Sequence, residues 1–158
     1  MKKVASILIL TLMFSCVGNA QDTSKEKNTY KVVKTASEWK ELLSPIAYNV
    51  LREAGTEKPY THEFKEITGN GIFVCAACKT ELYKAEHKFD SGTGWPSFDR
   101  AVKGNVELDV DYKIGYARTE LKCNTCGGHL GHSFDDGPKT TGKRHCINGA
   151  ALEFIAEK

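Results

Sequence analysis

A single cysteine beside basic residues is the feature of this sequence with the most direct chemistry in it. Cys146 lies in Arg144-His145-Cys146-Ile147-Asn148-Gly149, where a cation two positions back favours thiolate over thiol. With an ordinary pKa of about 8.5 only a few per cent of a thiol is ionised at neutral pH, and a depression of about two units makes most of it nucleophilic. On these six residues alone, an inert cysteine buried in a strand is the competing reading. Upstream, Gly128-His129-Leu130-Gly131-His132 sets two imidazoles three residues apart. The segment that follows, Ser133-Phe134-Asp135-Asp136-Gly137-Pro138, brings carboxylates able to orient an imidazole by hydrogen bond. Two histidines in a Gly-rich stretch also suit packing or metal ligation. Ser91-Gly92-Thr93-Gly94-Trp95-Pro96-Ser97-Phe98 embeds Trp95 among turn formers, so its indole either walls an apolar pocket or packs in the core.

Four further cysteines form two Cys-x-x-Cys pairs, Cys75/Cys78 and Cys123/Cys126. Two intervening residues let one tight turn present both sulfurs to a metal, and two such turns make a closed tetrahedral site of the structural zinc type. Gly127 and Gly128 suit the second turn. The 44 residues between Cys78 and Cys123 exceed the interval of an ordinary zinc ribbon, so the fold must bring the halves together from separate hairpins. In an exported protein, disulfides or a redox-active Cys-x-x-Cys are the alternatives. One metal explains both pairs more economically, and it leaves no need for a second metal on the histidines.

These residues need a scaffold. The chain has 158 residues, 41% hydrophobic and 27% charged, which suits one globular domain with short appendages. Its formal net charge of +2 is scattered, so there is no basic stripe for nucleic acid or anionic lipid. Lys2 and Lys3 precede an apolar run over residues 4–17, too short to span a bilayer but right for a signal peptide. Two processing routes fit: cleavage after Gly18-Asn19-Ala20, or lipidation of Cys16 after Leu12-Met13-Phe14-Ser15, with Met13 where Leu is usual. Either route exports the protein, to the periplasm or to a lipid anchor at Cys16 on the cell envelope. Residues 1–20 are therefore expected to be the signal, 21–31 a polar tether, and 32–158 the folded domain.

Thr35-Ala36-Ser37-Glu38 has capping-box spacing and leads into Trp39, Leu42 and Leu43, which predicts a short helix with Trp39 on its apolar face. Ser44 and Pro45 open a second, with a stripe of Ile46, Ala47, Val50, Leu51 and Ala54 and a stop at Gly55. Beyond Gly69 short runs alternate with turn residues. Strands are predicted at residues 72–74, 106–110, 114–116 and 152–154. With no intervening helices to make parallel crossovers, the class expected is mainly β: antiparallel sheets folded on one another, with short N-terminal helices.

From about Ser37 to Phe154 the sequence resembles the B-type methionine-R-sulfoxide reductases. The resemblance rests on Leu51-Arg52-Glu53-Ala54-Gly55-Thr56-Glu57, both Cys-x-x-Cys pairs, residues 89–98, Gly128-His129-Leu130-Gly131-His132 and Arg144-His145-Cys146-Ile147-Asn148. It implies two antiparallel sheets with one structural Zn2+ between the cysteine turns, remote from an active site whose nucleophile is Cys146. By that likeness Trp95 packs on the substrate methyl group, and His129 and His132 handle the sulfoxide oxygen. Asp136 supports His132, while Arg144 and Asn148 line the site. Thiolate attack on sulfur and protonation of the departing oxygen then return methionine and leave a sulfenic acid. Oxidised proteins are the implied substrates, a monomer the expected state. Thr93 stands where many members carry a resolving cysteine, so an external thiol such as a thioredoxin-like partner is expected to reduce Cys146. His145 replaces a common Tyr. The rival readings are a non-catalytic zinc-ribbon-like binding module and a thiol-disulfide oxidoreductase working through one Cys-x-x-Cys.

Overall fold

The computed structural model describes residues 30–62, 64 and 69–157; the predicted signal and most of the tether lie outside them. Where the tether was expected to end, Tyr30 already attaches to the body: its phenol donates to Glu107 at 3.0 Å and the Val32 amide to the Thr125 carbonyl at 3.0 Å.

Both predicted helices form. Thr35 and Glu38 make the reciprocal capping box of α1 (Ala36–Leu42), and Ser44 caps α2 (Pro45–Glu53) with Pro45 in its first turn. Trp39 is 2% exposed and belongs to the core. Of the expected stripe on α2, Ala47, Val50 and Leu51 are buried while Ile46 is largely exposed. The helix ends at Glu53, two residues before the predicted stop at Gly55. Ala54 itself takes the left-handed conformation (φ 51°), and Gly55 follows so close to Asn49 that a Cβ there would lie 1.9 Å from Oδ1.

Among the described residues nine strands form two antiparallel sheets. The smaller has the order β2-β1-β9, from β1 (Gly71–Cys75), β2 (Glu81–Lys84) and β9 (Leu152–Ala156). The larger has the order β3-β4-β8-β7-β6-β5, from β3 (Lys88–Phe89), β4 (Ser97–Phe98), β5 (Val106–Asp111), β6 (Arg118–Cys123), β7 (His129–Phe134) and β8 (Arg144–Ile147). The sheets meet through aromatic rings: Phe98 of β4 stacks on Tyr83 of β2 at 4.3 Å and meets Phe73 of β1 edge-on at 5.1 Å. Tyr83, Phe73 and Phe98 are fully buried, with Leu51, Leu121, Leu130 and Ile147 filling the space around them.

One predicted strand is a turn. Residues 114–116 form the tip of the β5–β6 hairpin, where Gly115 takes φ 90° and its amide bonds to the Tyr112 carbonyl at 3.0 Å. The Asp111 side chain accepts from the Lys113 amide at 2.6 Å and starts the reversal. The apolar run there is exposed, with Ile114 at 50% and Tyr116 at 62%, so alternation without a core to face did not make a strand. Conversely β7, read from sequence as a Gly-rich stretch, is a buried strand between β6 and β8.

Candidate active site

Cys146 sits on β8 between two neighbours in register, His132 on β7 and Ser97 on β4. Directly paired residues project from the same sheet face, so this register alone puts an imidazole beside the thiol. The approach of β7 to β8 depends on Gly131, where a Cβ would lie 2.0 Å from the Cys146 carbonyl oxygen. The two side chains open into a cleft of about 160 Å³ whose walls also include Thr56, Trp95, Arg118, Phe134 and Asn148.

Trp95 is therefore a wall of the cleft, the first of its two sequence readings. Its indole donates to the Glu57 carbonyl at 3.2 Å. The loop beneath it is pinned by the Tyr60 amide on the Gly94 carbonyl at 2.8 Å, with Gly94 at φ 85° and packed on the Tyr60 ring. Asn148 also lines the cleft, but its amide is committed to the protein: Oδ1 accepts from the Glu57 amide and Nδ2 donates to the Leu130 carbonyl, both at 3.0 Å. The Glu57 carboxylate in turn accepts from the amides of Gly149 and Ala150, which fixes the chain just after Cys146.

The partner predicted for His132 is not the one observed. Asp136 is exposed and forms a forked ion pair with Arg144, at 2.8 and 2.9 Å, and the guanidinium lies over the Phe134 ring at 4.5 Å. Asp136 thus supports Arg144, because β7 has already turned away from the His132 ring when the chain reaches it. His132 instead bonds through Nε2 to Asp111 Oδ2 at 2.8 Å, and that oxygen also accepts from Arg118. His129, 4% exposed, bonds through Nδ1 to Glu120 at 2.5 Å and meets His132 edge-on at 5.2 Å. Asp111, Arg118 and Glu120 escaped the sequence reading, and Glu57 entered it only as the end of a motif, with no role. Arg118 and Glu120 are two apart, the spacing of one strand face, but the signal was hidden by the strand predicted over residues 114–116.

Burial pushes the Cys146 thiol up, and the Arg144 charge and hydrogen bonds from Thr93 and Arg144 only partly oppose it. The sequence expectation of a depressed pKa weighed the cation and could not weigh desolvation. His132 is moved down, first by burial and then by the charges of Arg118 and His129, against the pull of Asp111. The resting pair is therefore thiol and neutral imidazole. His145 has no part in this: as the next residue on the strand it points to the other face, where Nδ1 meets the Tyr83 hydroxyl at 3.2 Å. Alkylation of Cys146 by iodoacetamide is expected to rise with pH to a midpoint above that of an ordinary thiol. Arg144→Met should move the midpoint higher still, since it removes the positive charge that does most to favour the thiolate. A lower midpoint in that variant would refute the assignment.

At the other end of the sheets, the two Cys-x-x-Cys turns have one geometry. The amide of the residue after the second cysteine returns to the carbonyl of the first, Lys79 to Cys75 and Gly127 to Cys123, each at 2.8 Å, and both residues have positive φ, 61° and 69°. The four sulfurs lie within 4.8 Å of one another, with Cys75 to Cys126 at 3.8 Å and Cys78 to Cys123 at 3.5 Å. A tetrahedron of Zn–S bonds of about 2.3 Å separates sulfurs by about 3.8 Å, whereas a disulfide requires about 2.05 Å. The four cysteines are thus positioned to hold one metal ion, and thiolate-only donors in a closed tetrahedron suit Zn2+. The cluster joins β1 of the small sheet to the β6–β7 turn of the large one.

Two sheets stapled at a four-sulfur centre, with a fifth sulfur facing an anchored imidazole across an open cleft, define a class of small mainly β proteins with a structural metal. The SelR domain matches residues 43–156, and the chain belongs to that family, the oxidoreductases of the MsrB type. It is 47% identical over 133 residues to "Peptide methionine sulfoxide reductase MsrB" of Leifsonia xyli subsp. xyli, covering 83% of this chain and 96% of that protein. It is 48% identical over 125 residues to the protein of that name from Agrobacterium fabrum, covering 78% and 93%. "Methionine-R-sulfoxide reductase B3, mitochondrial" of Mus musculus is 43% identical over 138 residues, covering 87% of this chain and 54% of that one.

Proposed function

We propose that this protein reduces the R epimer of methionine sulfoxide in oxidised proteins, with Cys146 as the nucleophile. The observation that carries the reading is the register pair of Cys146 and His132 in a cleft walled by Trp95. Its proton inventory closes without an outside donor. The thiol proton passes to neutral His132, the thiolate attacks the sulfoxide sulfur, and the imidazolium returns the proton to the oxygen as the S–O bond breaks. The hydroxide so released attacks the Cys146 sulfur of the resulting thiosulfonium, forming the new S–O bond as the S–S bond breaks; methionine leaves with that electron pair, and Cys146 becomes a sulfenic acid. Sulfur is reduced by two electrons and the cysteine oxidised by two. Discrimination between epimers needs three fixed groups, and Trp95 for the methyl, His132 for the oxygen and Cys146 for the sulfur supply them. Zinc, when bound, holds the sheets together and takes no part in these steps.

The second half of the cycle calls on an external thiol. Thr93 hydrogen-bonds to Cys146 where a second sulfur would otherwise sit, and the other described cysteines are Cys75, Cys78, Cys123 and Cys126 of the metal cluster. One thiol of a thioredoxin-like reductant condenses with the sulfenic acid, releasing water, and a second releases Cys146. The signal-like apolar run over residues 4–17 supports activity outside the cytosol, in the periplasm or on a lipid anchor at Cys16, with envelope proteins as substrates.

Two measurements test the reading. In steady state with separated epimers of a blocked methionine sulfoxide, only the R form should turn over; equal turnover of both, or none, removes it. After one equivalent of R sulfoxide, zinc-loaded protein should show the loss of one titratable thiol. Loss of two, with an internal disulfide by mass, would remove the external-thiol step.

A further inference from the structure

Resting on that reading of His132, we infer that Asp111, pinned by Arg118, is the positioning carboxylate that turns the His132 ring so that Nδ1 faces substrate. The sheet register brings these groups together. Asp111 ends β5 opposite Arg118 on β6, and two residues further along β6 Glu120 stands opposite His132 on β7. All four lie on the sheet face that carries Cys146.

Both Asp111 oxygens are occupied. Oδ1 accepts the Lys113 amide at 2.6 Å, while Oδ2 accepts from His132 Nε2 at 2.8 Å and from Arg118 at 2.5 Å. An ionised carboxylate offers no proton, so Nε2 carries it and Nδ1 is left with a lone pair. His132 lines the cleft, and Nδ1 is thus the atom that can take the Cys146 proton and hand it on. The Lys113 amide, with His132 and Arg118, holds Asp111 well below the ordinary carboxylate range, so the anchor stays charged throughout the working pH range. The ionisable groups facing His132 are Asp111 from β5, Arg118 and Glu120 from β6, His129 on β7 itself and Cys146 from β8. Asp111 is the group among them that bonds directly to the ring.

Asparagine at 111 would meet three donors with a single acceptor oxygen, so at least one bond is lost and the charge opposite the imidazolium disappears. Asp111→Asn and Arg118→Lys, both zinc-loaded and matched to wild type in metal content and melting midpoint, test this with blocked R-methionine sulfoxide. Nitrogen NMR of the His132 ring is read alongside. The expected result for Asp111→Asn is a fall in kcat of about a hundredfold with little change in KM. His132 should also shift toward the Nδ1–H tautomer and titrate at lower pH. Arg118→Lys, which leaves the carboxylate in place but unpinned, should give a smaller fall and a mixed tautomer. A wild-type tautomer and titration in Asp111→Asn overturns the inference, and so does unchanged kcat. If that variant does not fold, an unchanged tautomer in Arg118→Lys does the same. Full turnover in His132→Gln would instead remove the proposed role of the imidazole, so the two failures are distinguishable.

Discussion

Replacing Cys146 by serine should leave a protein that binds zinc and melts as the wild type does, yet reduces methionine sulfoxide slower by roughly 10⁴-fold or more. The loss is chemical. A serine hydroxyl ionises far above the working range and is a poor nucleophile toward sulfur, and among the described residues no other cysteine lines the cleft. The fold is spared because Cys146 is half-buried on the cleft face, contributes no sulfur to the metal cluster, and gives up only a methylene-sized difference in volume. Epimer assay, metal content and thermal melting on one preparation decide the matter. Retained R-specific turnover would end the case for Cys146, and loss of zinc with activity would make its role structural.

Stripping the metal should have the largest effect on stability. A zinc held by four thiolates contributes about 10–16 kcal/mol of apparent folding free energy at neutral pH, as much as the whole net stability of a typical domain, about 5–15 kcal/mol. Cys75 and Cys123 are fully buried and Cys126 nearly so. Without a cation the four sulfurs, all within 4.8 Å of one another, crowd together in a largely buried site. Chelator with a reductant present should therefore abolish cooperative melting and near-ultraviolet dichroism, and re-addition of Zn2+ should restore both. Cys75→Ser should do the same irreversibly. An apo protein with the wild-type midpoint would mean that the cluster carries no structural metal.

Much of this molecule is readable one short segment at a time. The Thr35/Glu38 capping box, Pro45 in the first turn of α2, and the two Cys-x-x-Cys knuckles each depend on residues within a turn of one another, so their geometry follows from local sterics and hydrogen bonding. Trp95 among turn formers was equally legible as a loop residue. The apolar segment at residues 114–116 misled because alternation predicts a strand only when one face has something to cover, and at the hairpin tip neither does.

The surroundings of Cys146 were settled by register. Asp136 is four residues from His132 in the chain, but alternation along β7 and the turn after it deliver it to Arg144. Asp111, twenty-one positions away, reaches the imidazole because β5, β6 and β7 pair as they do. The balance at Cys146 is likewise a tertiary quantity, since Arg144 is visible in the sequence while the desolvation that outweighs it exists only once β8 is packed between β7 and β4. The candidate reacting groups and the metal ligands are thus written in residue types and short spacings. Their partners and protonation states come from long-range strand pairing and burial, which no local stretch of chain encodes.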